Sequence, residues 1–287
     1  MQIGFLGAGL MGHGMALNLL KGGHKVTVMA HHNPVPVDDL VQRGARKASD
    51  LGALAKEAEI IIVCLTNSKV VVEVIGGLKP HLRAGQIILD MGTSDPAVNR
   101  RLSAELGAQG VAFAEAPVMG GPDQAAAAEL GALVGAEPET FERIRPVLEC
   151  YCASISHVGP VGAGQTAKLI SNYLSLGTAA LVADVFNVAR QAGVDWAKLY
   201  AAMLRGSGNS GALRRMVEPA LKGNYDGYAF TLSNAHKDMT YYMALAGEGG
   251  FRTPLAGEVM AIYDKAKAGG HGESRVSRLI DPKLSRK

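Results

Sequence analysis

The chain begins with the apolar run Gln2-Ile-Gly-Phe-Leu6, and the glycine-rich turn Gly7-Ala-Gly9-Leu-Met-Gly12 follows it directly. The apolar run predicts a short strand. A helical pattern then extends from about Met11 to Lys21, and a second strand is predicted at Lys25-Val-Thr-Val-Met29. A strand, a glycine turn, a helix and a strand within about 30 residues are the signature of a dinucleotide-binding βαβ unit.

Each glycine of this turn has a separate predicted role. Gly7 forms the tight turn, Gly9 lets the backbone approach a pyrophosphate, and Gly12 lets helix and strand pack closely. The helix dipole and the free amides from Leu10 and Met11 onward favour binding of the phosphates. Three glycines alone are a weak signal, and the alternative is an accidental glycine turn. The flanking strand and helix favour dinucleotide binding.

Residues at the end of the second strand bear on the choice between the two nicotinamide cofactors. NAD sites usually carry an acid here for the ribose hydroxyls, whereas basic or neutral donors suit the 2′-phosphate of NADP. This chain has Ala30, His31, His32 and Asn33, and its next acid is Asp38. We therefore predict NADP rather than NAD, with His31, His32 and Asn33 near the phosphate. The alternative is that the histidines only decorate an exposed turn.

Strand and helix patterns continue to alternate after this unit. Strands are predicted at residues 59–65, 86–91, 111–114, 130–134 and 153–158, and helices at residues 51–57, 68–75, 96–109, 124–129 and 138–149. The alternation predicts an α/β Rossmann domain with a doubly wound parallel sheet.

Ligands of such sheets bind beyond the carboxyl ends of the strands, so the loops that follow the strands are candidate sites. These loops are Leu65-Thr66-Asn67, Gly92-Thr93-Ser94 and Ala116-Pro-Val-Met119-Gly120-Gly121. We predict that Leu65, Thr66 and Thr93 contact the cofactor. Each loop alone is also compatible with an ordinary connection, and their shared place at strand ends favours a binding role.

A lysine in an apolar setting is the strongest candidate for chemistry. In Gly162-Ala-Gly-Gln-Thr-Ala-Lys168-Leu-Ile-Ser-Asn172, Lys168 is the only formal charge from Cys150 to Ala183. The stretch predicts a helix that is apolar on most faces, which is typical of a buried helix. A lysine there requires a partner or a ligand, or loses its proton; the alternative is that it extends to water from the helix edge. Asn172 shares its face, and Gly164 one turn earlier would leave room for a small molecule.

Residues beyond about 166 have a helical pattern without a strand candidate of comparable quality. We predict a Rossmann domain at residues 1–160 and an all-helical domain for substrate binding and dimerisation at residues 161–287, joined by the long helix. Lys168 is then expected at the junction, where a nicotinamide ring could meet a substrate. In the helical part, His236-Lys237-Asp238 is a second polar group in apolar company, and its commoner alternative is a solvated ion cluster.

Composition restricts the classes of function. The 287 residues carry a net charge of +3, too small to indicate nucleic acid or an anionic membrane as a partner. Apolar runs such as Ile60-Ile-Ile-Val-Cys-Leu65 have the length of a strand and not of a membrane span. The chain opens directly into a strand, so we expect no leader segment. The three cysteines have no metal-like spacing, and reduced thiols predict a cytoplasmic protein without a metal site.

These stretches together resemble the β-hydroxyacid dehydrogenases, a family that includes 3-hydroxyisobutyrate and tartronate semialdehyde dehydrogenases. The resemblance runs nearly from end to end. It rests on an extended cofactor motif, a loop near the nicotinamide ribose, a substrate loop, a catalytic helix and a late motif near the cofactor, at residues 5–20, 90–93, 115–121, 162–172 and 237–238. It implies an NAD(P)-dependent oxidoreductase of a small β-hydroxyacid or its semialdehyde, assembled as a homodimer or homotetramer.

The resemblance implies a role for each site residue. Lys168 is the general acid/base: it accepts the hydroxyl proton while hydride passes to nicotinamide C4, and it returns the proton in reduction. An apolar junction lowers the pKa of a lysine toward the working range, which supports this role. Asn172 holds the hydroxyl or Lys168, and Lys237 closes the site or contacts the cofactor. Gly120 and Gly121 offer backbone amides to a substrate carboxylate.

The sequence departs from the family pattern in the substrate loop. The family usually has serine where Met119 stands, and a thioether cannot donate a hydrogen bond to a carboxylate. Met119 is therefore predicted to line a site in which the carboxylate rests on backbone, or in which the substrate is bulkier and less polar. The change favours an imine or ketone reductase as an alternative, whereas imine-reducing relatives usually lack Lys168. A protein that binds NADP without turnover is a third hypothesis.

Overall fold

The structure is a computed structural model that describes residues 1–31 and 33–285. His32, Arg286 and Lys287 lie outside the described residues. The chain divides into two compact units, Met1–Lys168 and Leu169–Lys287. The first is a Rossmann-type α/β unit and the second is helical, which confirms the predicted fold class. The domain boundary after residue 160 stays a prediction.

The first unit is built from strands and helices that alternate along the chain. The strands are β1 (Gln2–Leu6), β2 (Lys25–Met29), β3 (Arg46–Lys47), β4 (Ile60–Val63), β5 (Ile87–Asp90), β6 (Ala112–Glu115), β7 (Val118–Met119), β8 (Leu130–Gly135) and β9 (Cys152–Gly159). The helices are α1 (Gly12–Lys21), α2 (Val35–Gln42), α3 (Leu51–Ala55), α4 (Ser68–Leu78), α5 (Pro96–Gly107), α6 (Pro122–Ala127), α7 (Pro138–Leu148) and the start of α8 (Ala163–Gln191). A 3₁₀ turn, Lys79–His81, follows α4.

The strands β1 to β6 are parallel and lie in the order β3, β2, β1, β4, β5, β6. The order reverses beside β1, and such a switch point leaves a crevice for ligands at the carboxyl ends of the strands. Register brings these ends to one edge: Leu6 pairs with Val63, Val63 with Asp90, and Asp90 with Glu115.

Apolar side chains fill both faces of this sheet. In β4, Ile60 and Ile62 pack into a core shared with α1, α2 and α7, whereas Ile61 and Val63 pack into a second core shared with α3, α4 and α5. All four side chains are fully buried, which explains why this strand has a continuous apolar run rather than an alternating pattern. Each contributes roughly 1.5–3 kcal/mol relative to an exposed position.

Beyond β6 the sheet changes direction, which the alternating pattern did not predict. β8 meets β6 in an antiparallel pair between Glu115 and Gly135, and it is antiparallel to β7 as well. Only a short loop and α6 connect β7 to β8, and a crossover to a parallel strand needs roughly a dozen residues or more. The longer connection through α7 provides such a crossover, and β9 pairs in parallel with β8.

In the second unit, α8 continues and further helices pack around it. These are α9 (Trp196–Met203), α10 (Gly211–Ala220), α11 (Leu232–Glu248), α12 (Pro254–Ala268) and α13 (Pro282–Ser285), with a 3₁₀ helix at Val276–Ile280. The core joins Leu176 and Phe186 of α8 to Met216 of α10, Met239 of α11 and Tyr263 of α12. The Tyr263 hydroxyl donates to the Leu176 carbonyl oxygen at 2.8 Å, so the buried phenol is satisfied.

The helix α8 is long and apolar enough, by length and composition, to cross a membrane. Among the described residues it is the single helix that meets this criterion, which the core helix of a soluble protein also meets. Leu176, Ala179, Ala180 and Phe186 of α8 are buried in the core of the second unit. The finding is therefore weak evidence for a membrane span.

Candidate active site

Three glycines shape the turn between β1 and α1. Gly7 has a φ of 95°, and a β-carbon there would lie 2.1 Å from the Cys64 carbonyl oxygen. A β-carbon on Gly12 would lie 2.1 Å from the Gly7 carbonyl oxygen, so both positions require glycine. A β-carbon on Gly9 would meet nothing within 4 Å. The space beside Gly9 is open, as the approach of a ligand to the backbone requires.

The N-terminus of α1 lies directly after this turn. Met11 precedes the helix and makes no side-chain hydrogen bond to its amides, and the neighbouring Leu10 is 80% exposed. The helix therefore presents backbone amides and the positive end of its dipole beside Gly9. This is the arrangement in which helix termini bind phosphate groups.

The residues predicted to select the cofactor follow β2. His31 and Asn33 are both exposed. The Asn33 Oδ1 atom accepts a hydrogen bond from the Val35 amide at 3.1 Å, which commits the oxygen to the start of α2 and leaves Nδ2 as the donor. The predicted contact of His32 lies outside the described residues.

The loops after β4 and β5 carry the other residues predicted to contact the cofactor. Leu65 is half-buried and Thr66 is exposed, and the next residue, Asn67, caps α4 by accepting from the Val70 amide at 3.0 Å. Thr93 is half-buried in the loop that follows β5. Register places both loops at the same edge of the sheet as the glycine turn.

Two acids occupy the carboxyl ends of neighbouring strands. Asp90 ends β5 and Glu115 ends β6, and the two are register partners with no exposed surface. Asn99 of α5 lies between them: its Nδ2 atom donates to Glu115 Oε2 at 2.8 Å and to Asp90 Oδ2 at 3.2 Å. Asp90 also accepts from the Gly92 amide at 2.9 Å and from the Ser94 hydroxyl at 2.7 Å. The acids thus form one buried hydrogen-bonded network.

Glu115 supplies the N-terminal cap of α8. Gly162 precedes the helix and has no side chain that could accept a hydrogen bond from its amides. Instead, Glu115 Oε1 accepts from the Gly162 amide at 2.8 Å and from the Gln165 amide at 2.9 Å. A carboxylate at a helix N-terminus satisfies orphan donors and favours the dipole. The cap of α8 therefore comes from a residue 47 positions earlier in the chain.

Gln165 connects the same turn of α8 to the loop after β5. Its Oε1 atom accepts from the Ser94 amide and its Nε2 atom donates to the Gly92 carbonyl oxygen, both at 2.9 Å. Thr93 stands between these two loop residues, and Lys168, half-buried, stands three residues beyond Gln165. The network thereby holds together the loop after β5, the end of β6 and the turn that leads to Lys168.

Burial raises the pKa of the Glu115 carboxyl to about 7. Hydrogen bonds from the Gln165 amide and from Asn99 lower the pKa in part, and the charge of Asp90 raises it further. The ordinary value is 4.5, so the folded protein binds this proton more tightly than the unfolded chain. The contribution of Glu115 to the free energy of unfolding is therefore present at low pH and is lost as the pH rises from about 4.5 to 7.

Gly164 does not open a gap for a ligand, contrary to the expectation from sequence. It is buried, and a β-carbon there would lie 2.5 Å from the Leu133 carbonyl oxygen and 2.8 Å from the Gly135 amide nitrogen. The position requires glycine because the backbone of α8 packs directly on β8. The same close packing brings the amides of the first turn within reach of Glu115.

The predicted substrate loop begins at β7. Met119 is 42% exposed, and Gly120 has a φ of 121°. The amide of Gly121 donates to the Gln124 side-chain oxygen at 2.9 Å, because Gln124 caps the start of α6 from within the helix. That bond occupies the amide that sequence reasoning offered to a substrate carboxylate. Of the two amides predicted to bind the carboxylate, Gly120 is the one that donates no hydrogen bond among the described residues.

A side chain of α1 anchors α6, the helix that follows the predicted substrate loop. Asn18 is buried, and its Nδ2 atom donates to the carbonyl oxygens of Ala125 at 2.9 Å and Ala126 at 3.3 Å, in α6. Gly14, one turn earlier on α1, lies so close to α6 that a β-carbon would be 2.8 Å from the Ala126 amide nitrogen. The helix of the glycine turn and the helix after the substrate loop are therefore packed together.

In the second unit, Asp238 of α11 organises the polar residues. It is 2% exposed, and its Oδ2 atom accepts from the Asn172 amide nitrogen at 2.6 Å. The Lys237 ammonium lies 2.8 Å from Asp238 Oδ1 and forms an ion pair without hydrogen-bond geometry. It also lies 5.1 Å from the centre of the Tyr241 ring. Asn172 and Lys237 therefore share one buried carboxylate. His236 pairs instead with the exposed Asp264 of α12, so the expectation of a solvated ion cluster fits only this residue of the triplet.

Sequence reasoning missed the roles of four residues in these networks. They are Asp90, Asn99, Gln165 and Asp238. One signal was available, because Asp90 and Glu115 each end an apolar strand, and neighbouring parallel strands bring such acids together. The other signal is the glycine before α8, which indicates that its cap must come from elsewhere. Nothing local indicates the role of Asn99, because its partners are distant in sequence.

The fold and the glycine turn define a nicotinamide-dinucleotide oxidoreductase. Residues 2–159 match the family model of the NAD-binding domain of 6-phosphogluconate dehydrogenase, and residues 162–282 match the NAD-binding model of NADP-dependent 3-hydroxyisobutyrate dehydrogenase. The chain therefore belongs to the β-hydroxyacid dehydrogenase family, as its sequence motifs predict, and is an NAD(P)-dependent enzyme that acts on hydroxyl groups.

Individual relatives agree with this assignment. The chain is 33% identical to 3-hydroxyisobutyrate dehydrogenase of Pseudomonas aeruginosa over 285 residues, 94% of this chain and 95% of the relative. It is similar to the structure of Mycobacterium tuberculosis 3-hydroxyisobutyrate dehydrogenase with L-serine, with a TM-score of 0.89, 27% identity and coverage of 100% and 99%. It is also similar to Psf3 in complex with NADP+ and 2-OPP, with a TM-score of 0.85, 27% identity and coverage of 97% and 98%.

Two glycine variants separate the structural and the binding roles of the turn. We expect Gly7→Ala to lower the free energy of unfolding by about 3 kcal/mol, because it combines a positive φ with a clash against Cys64. Gly9→Ala should leave stability within about 0.5 kcal/mol of the parent, because its β-carbon meets open space, and should weaken cofactor binding. Urea unfolding and cofactor titration measure the two effects. Equal losses of stability in both variants would contradict this assignment.

Proposed function

We propose that the protein is a dehydrogenase of the 3-hydroxyisobutyrate dehydrogenase type. It transfers hydride between nicotinamide and a small β-hydroxyacid or its semialdehyde, with Lys168 as general acid/base. The attachment of α8 carries this proposal, because Glu115 and Gln165 fix the turn before Lys168 to the ends of β6 and β5. One side chain capable of proton transfer is thereby held near the sheet edge where Rossmann folds bind dinucleotides.

The cofactor would be held by residues at the carboxyl ends of β1, β2, β4 and β5. The open space at Gly9 and the uncapped start of α1 fit a pyrophosphate. Leu65, Thr66 and Thr93 would line the remainder of the cofactor, and a contact from Lys237 stays a prediction. When bound, the nicotinamide supplies or accepts a hydride at C4. The chain contributes binding, orientation and proton transfer.

Lys168 and Asn172 would handle the hydroxyl group of the substrate. On oxidation, neutral Lys168 accepts the hydroxyl proton, and on reduction its ammonium form returns a proton to the developing alkoxide. Asp238 accepts one N–H of the Asn172 side-chain amide, which leaves the second N–H of Nδ2 to donate to the substrate oxygen while Lys168 takes the hydroxyl proton. Asn172 would then hold the substrate oxygen as a donor, without competing with Lys168 for the hydroxyl proton.

The carboxylate of the substrate would rest on the backbone of the loop after β7. Gly120 is the amide left for it, because Gly121 donates to Gln124 and Met119 has no donor. The same lack of a donor supports a second candidate, an imine or ketone reductase on this scaffold with a less polar substrate. Lys168 supports the hydroxyacid reaction, because it supplies the acid/base that alcohol oxidation requires. The third hypothesis, an NADP-binding protein without turnover, gives no role to this lysine.

Removing the Lys168 amine tests the reaction directly. We expect Lys168→Ala to lower the rate of hydride transfer roughly 10²- to 10⁴-fold, because general acid/base catalysis is lost, and to leave cofactor affinity unchanged. A panel of short hydroxyacids, semialdehydes and ketones with both cofactors provides the assay. Lys198→Ala, in an exposed lysine of α9, is the matched control and should behave as the parent protein. Undiminished turnover by Lys168→Ala would remove this residue from the mechanism.

We propose NADP as the preferred cofactor, because imidazole and amide donors, and no acid, follow β2. Fluorescence titration should show tighter binding of NADPH than of NADH. His31→Asp places a negative charge in this exposed turn and should weaken NADPH binding about tenfold or more, with little effect on NADH. Tighter binding of NADH by the parent protein would overturn this preference.

An exposed apolar stripe on α8 supports a homo-oligomer. Ile170, Leu174, Leu181 and Val188 are 55, 72, 62 and 57% exposed, and their spacing places them along one side of the helix. A contiguous exposed apolar surface of this kind is typical of a subunit interface. We propose that a second copy of the chain covers the stripe in a cytoplasmic homodimer, or in a homotetramer if a further interface forms.

A charge in the middle of this stripe tests the interface. We expect Leu181→Arg to convert the oligomer to monomer at micromolar concentration, because a buried unpaired charge is strongly unfavourable between subunits. Leu221→Arg, at an exposed leucine outside α8, is the control and should keep the parent mass. Light scattering during gel filtration measures the mass. Equal masses for both variants and the parent would show that the stripe is not the interface.

A further inference from the structure

The cap of α8 has a property beyond structural support, because it depends on a group that titrates near neutral pH. Glu115 Oε1 faces the amides of Gly162 and Gln165, and Oε2 faces Asn99 Nδ2. All three contacts are donated to the carboxyl group, so all three favour its ionised form. Burial and the charge of Asp90 oppose ionisation and raise the pKa to about 7. These opposing effects leave both the ionised and the protonated form of Glu115 accessible in the physiological range.

Protonation of Glu115 would change this hydrogen bonding. The added proton would lie on Oε2, because the Gly162 and Gln165 amides already donate to Oε1. On Oε2 the proton would face the Nδ2 donor of Asn99. Asn99 Oδ1 is buried and accepts no hydrogen bond from the described residues. A rotation of the amide would bring this oxygen to the protonated carboxyl, at the cost of the Nδ2 bond to Asp90. The neutral carboxyl would also hold the α8 amides less tightly, because charge-assisted hydrogen bonds are about twice as strong as neutral ones.

We propose that Glu115 is a positioning residue for the proposed reaction: its ionised form fixes the first turn of α8, and through that turn Lys168, whereas its protonated form loosens this attachment. The inference rests on the proposed function, because it assigns to Glu115 control over the reactivity of Lys168. Glu115 does not itself take part in proton transfer to the substrate. Its effect would be felt as a second ionisation in the pH dependence of turnover.

The charged groups around Glu115 define what else can titrate with it. Asp90 faces it from β5. On α5, Arg100 packs against Gly162, where a β-carbon would lie 3.0 Å from a guanidinium nitrogen. On α8, Lys168 is the charged residue of the first two turns, and β8 contains no titratable residue. The charges of Asp90, Arg100 and Lys168 are therefore the ones that bear on the ionisation of Glu115.

The reductive direction separates the ionisation of Glu115 from that of Lys168. Reduction requires the ammonium form of Lys168, so loss of its proton removes activity only at high pH. A decrease of kcat as the pH falls through about 7 would therefore report Glu115. We expect Glu115→Gln to have no such decrease and a kcat roughly tenfold below that of the parent at high pH, because glutamine resembles the protonated carboxyl. KM should change less than about twofold.

Three further variants control the measurement. Glu129→Gln removes an exposed glutamate and should keep the parent pH profile. Glu115→Asp keeps an ionisable group and should restore the decrease at low pH. Asn99→Ala leaves Glu115 in place and removes a donor to its anion, so the decrease should move to higher pH. This last variant keeps the inference testable if Glu115→Gln does not fold.

Amide hydrogen exchange gives a readout that does not depend on turnover. In Glu115→Gln, at a pH above 7, we expect the Gly162 and Gln165 amides to exchange roughly five- to tenfold faster than in the parent, in line with the loss of a helix cap. The Gly121 amide, bonded to Gln124, should be unchanged and is the internal control. Unchanged exchange at Gly162 and Gln165 overturns the inference, as does a decrease of kcat at low pH that persists in Glu115→Gln. If Lys168→Ala keeps its turnover, the proposed function fails, and exchange still reports whether Glu115 caps α8.

Discussion

The hydrogen bonds from the first turn of α8 to the buried Glu115 carboxylate are the constraint on which the candidate site depends. Burying a carboxylate is costly, and here three donors and the dipole of a helix whose own sequence provides no cap offset part of that cost. The acid ends β6, and Gly162, which directly precedes the helix, lies 47 residues later, so the contact joins a strand end to the turn that leads to the catalytic candidate Lys168. A surface ion pair would hold the start of α8 far less firmly, because water and salt screen the attraction between its charges.

Sequence patterns predicted the fold where one local rule decided the outcome. The parallel strands β1, β4, β5 and β6 have runs of buried residues that only a sheet covered on both faces can accommodate, whereas β2 alternates. The direction of β8 was not predictable from its own residues, since it depends on how short the connection from β7 is. Gly164 and Gly121 show the same limit within the site. Glycine in a loop or at a helix start predicts open space and an available backbone amide. Only the packed structure shows that Gly164 contacts β8 and that Gln124 occupies the Gly121 amide.

The second unit uses a buried carboxylate in a comparable way. Asp238 is nearly inaccessible and contacts both Asn172 and Lys237, so it fixes the orientation of the Asn172 side-chain amide. An asparagine without such a partner could present either its oxygen or its nitrogen. The sequence placed Asn172 and Lys237 among the candidates by their resemblance to a family motif. It did not indicate that Asp238 would orient the Asn172 amide and neutralise the charge of Lys237, because Asn172 and Asp238 lie 66 residues apart.

The packing of α6 on α1 bears on how the substitution at Met119 acts. Asn18 binds two carbonyl oxygens of α6, and Gly14 allows the two helices to touch, so the helix that follows the predicted substrate loop is held by the helix of the glycine turn. The amide of Gly121 is likewise held by Gln124. A methionine in this loop therefore changes the chemistry offered to the substrate more than it changes the backbone. In the proposed reaction the loop would offer the Gly120 amide without a side-chain donor, which would favour substrates that need fewer hydrogen bonds at this end and more apolar contact.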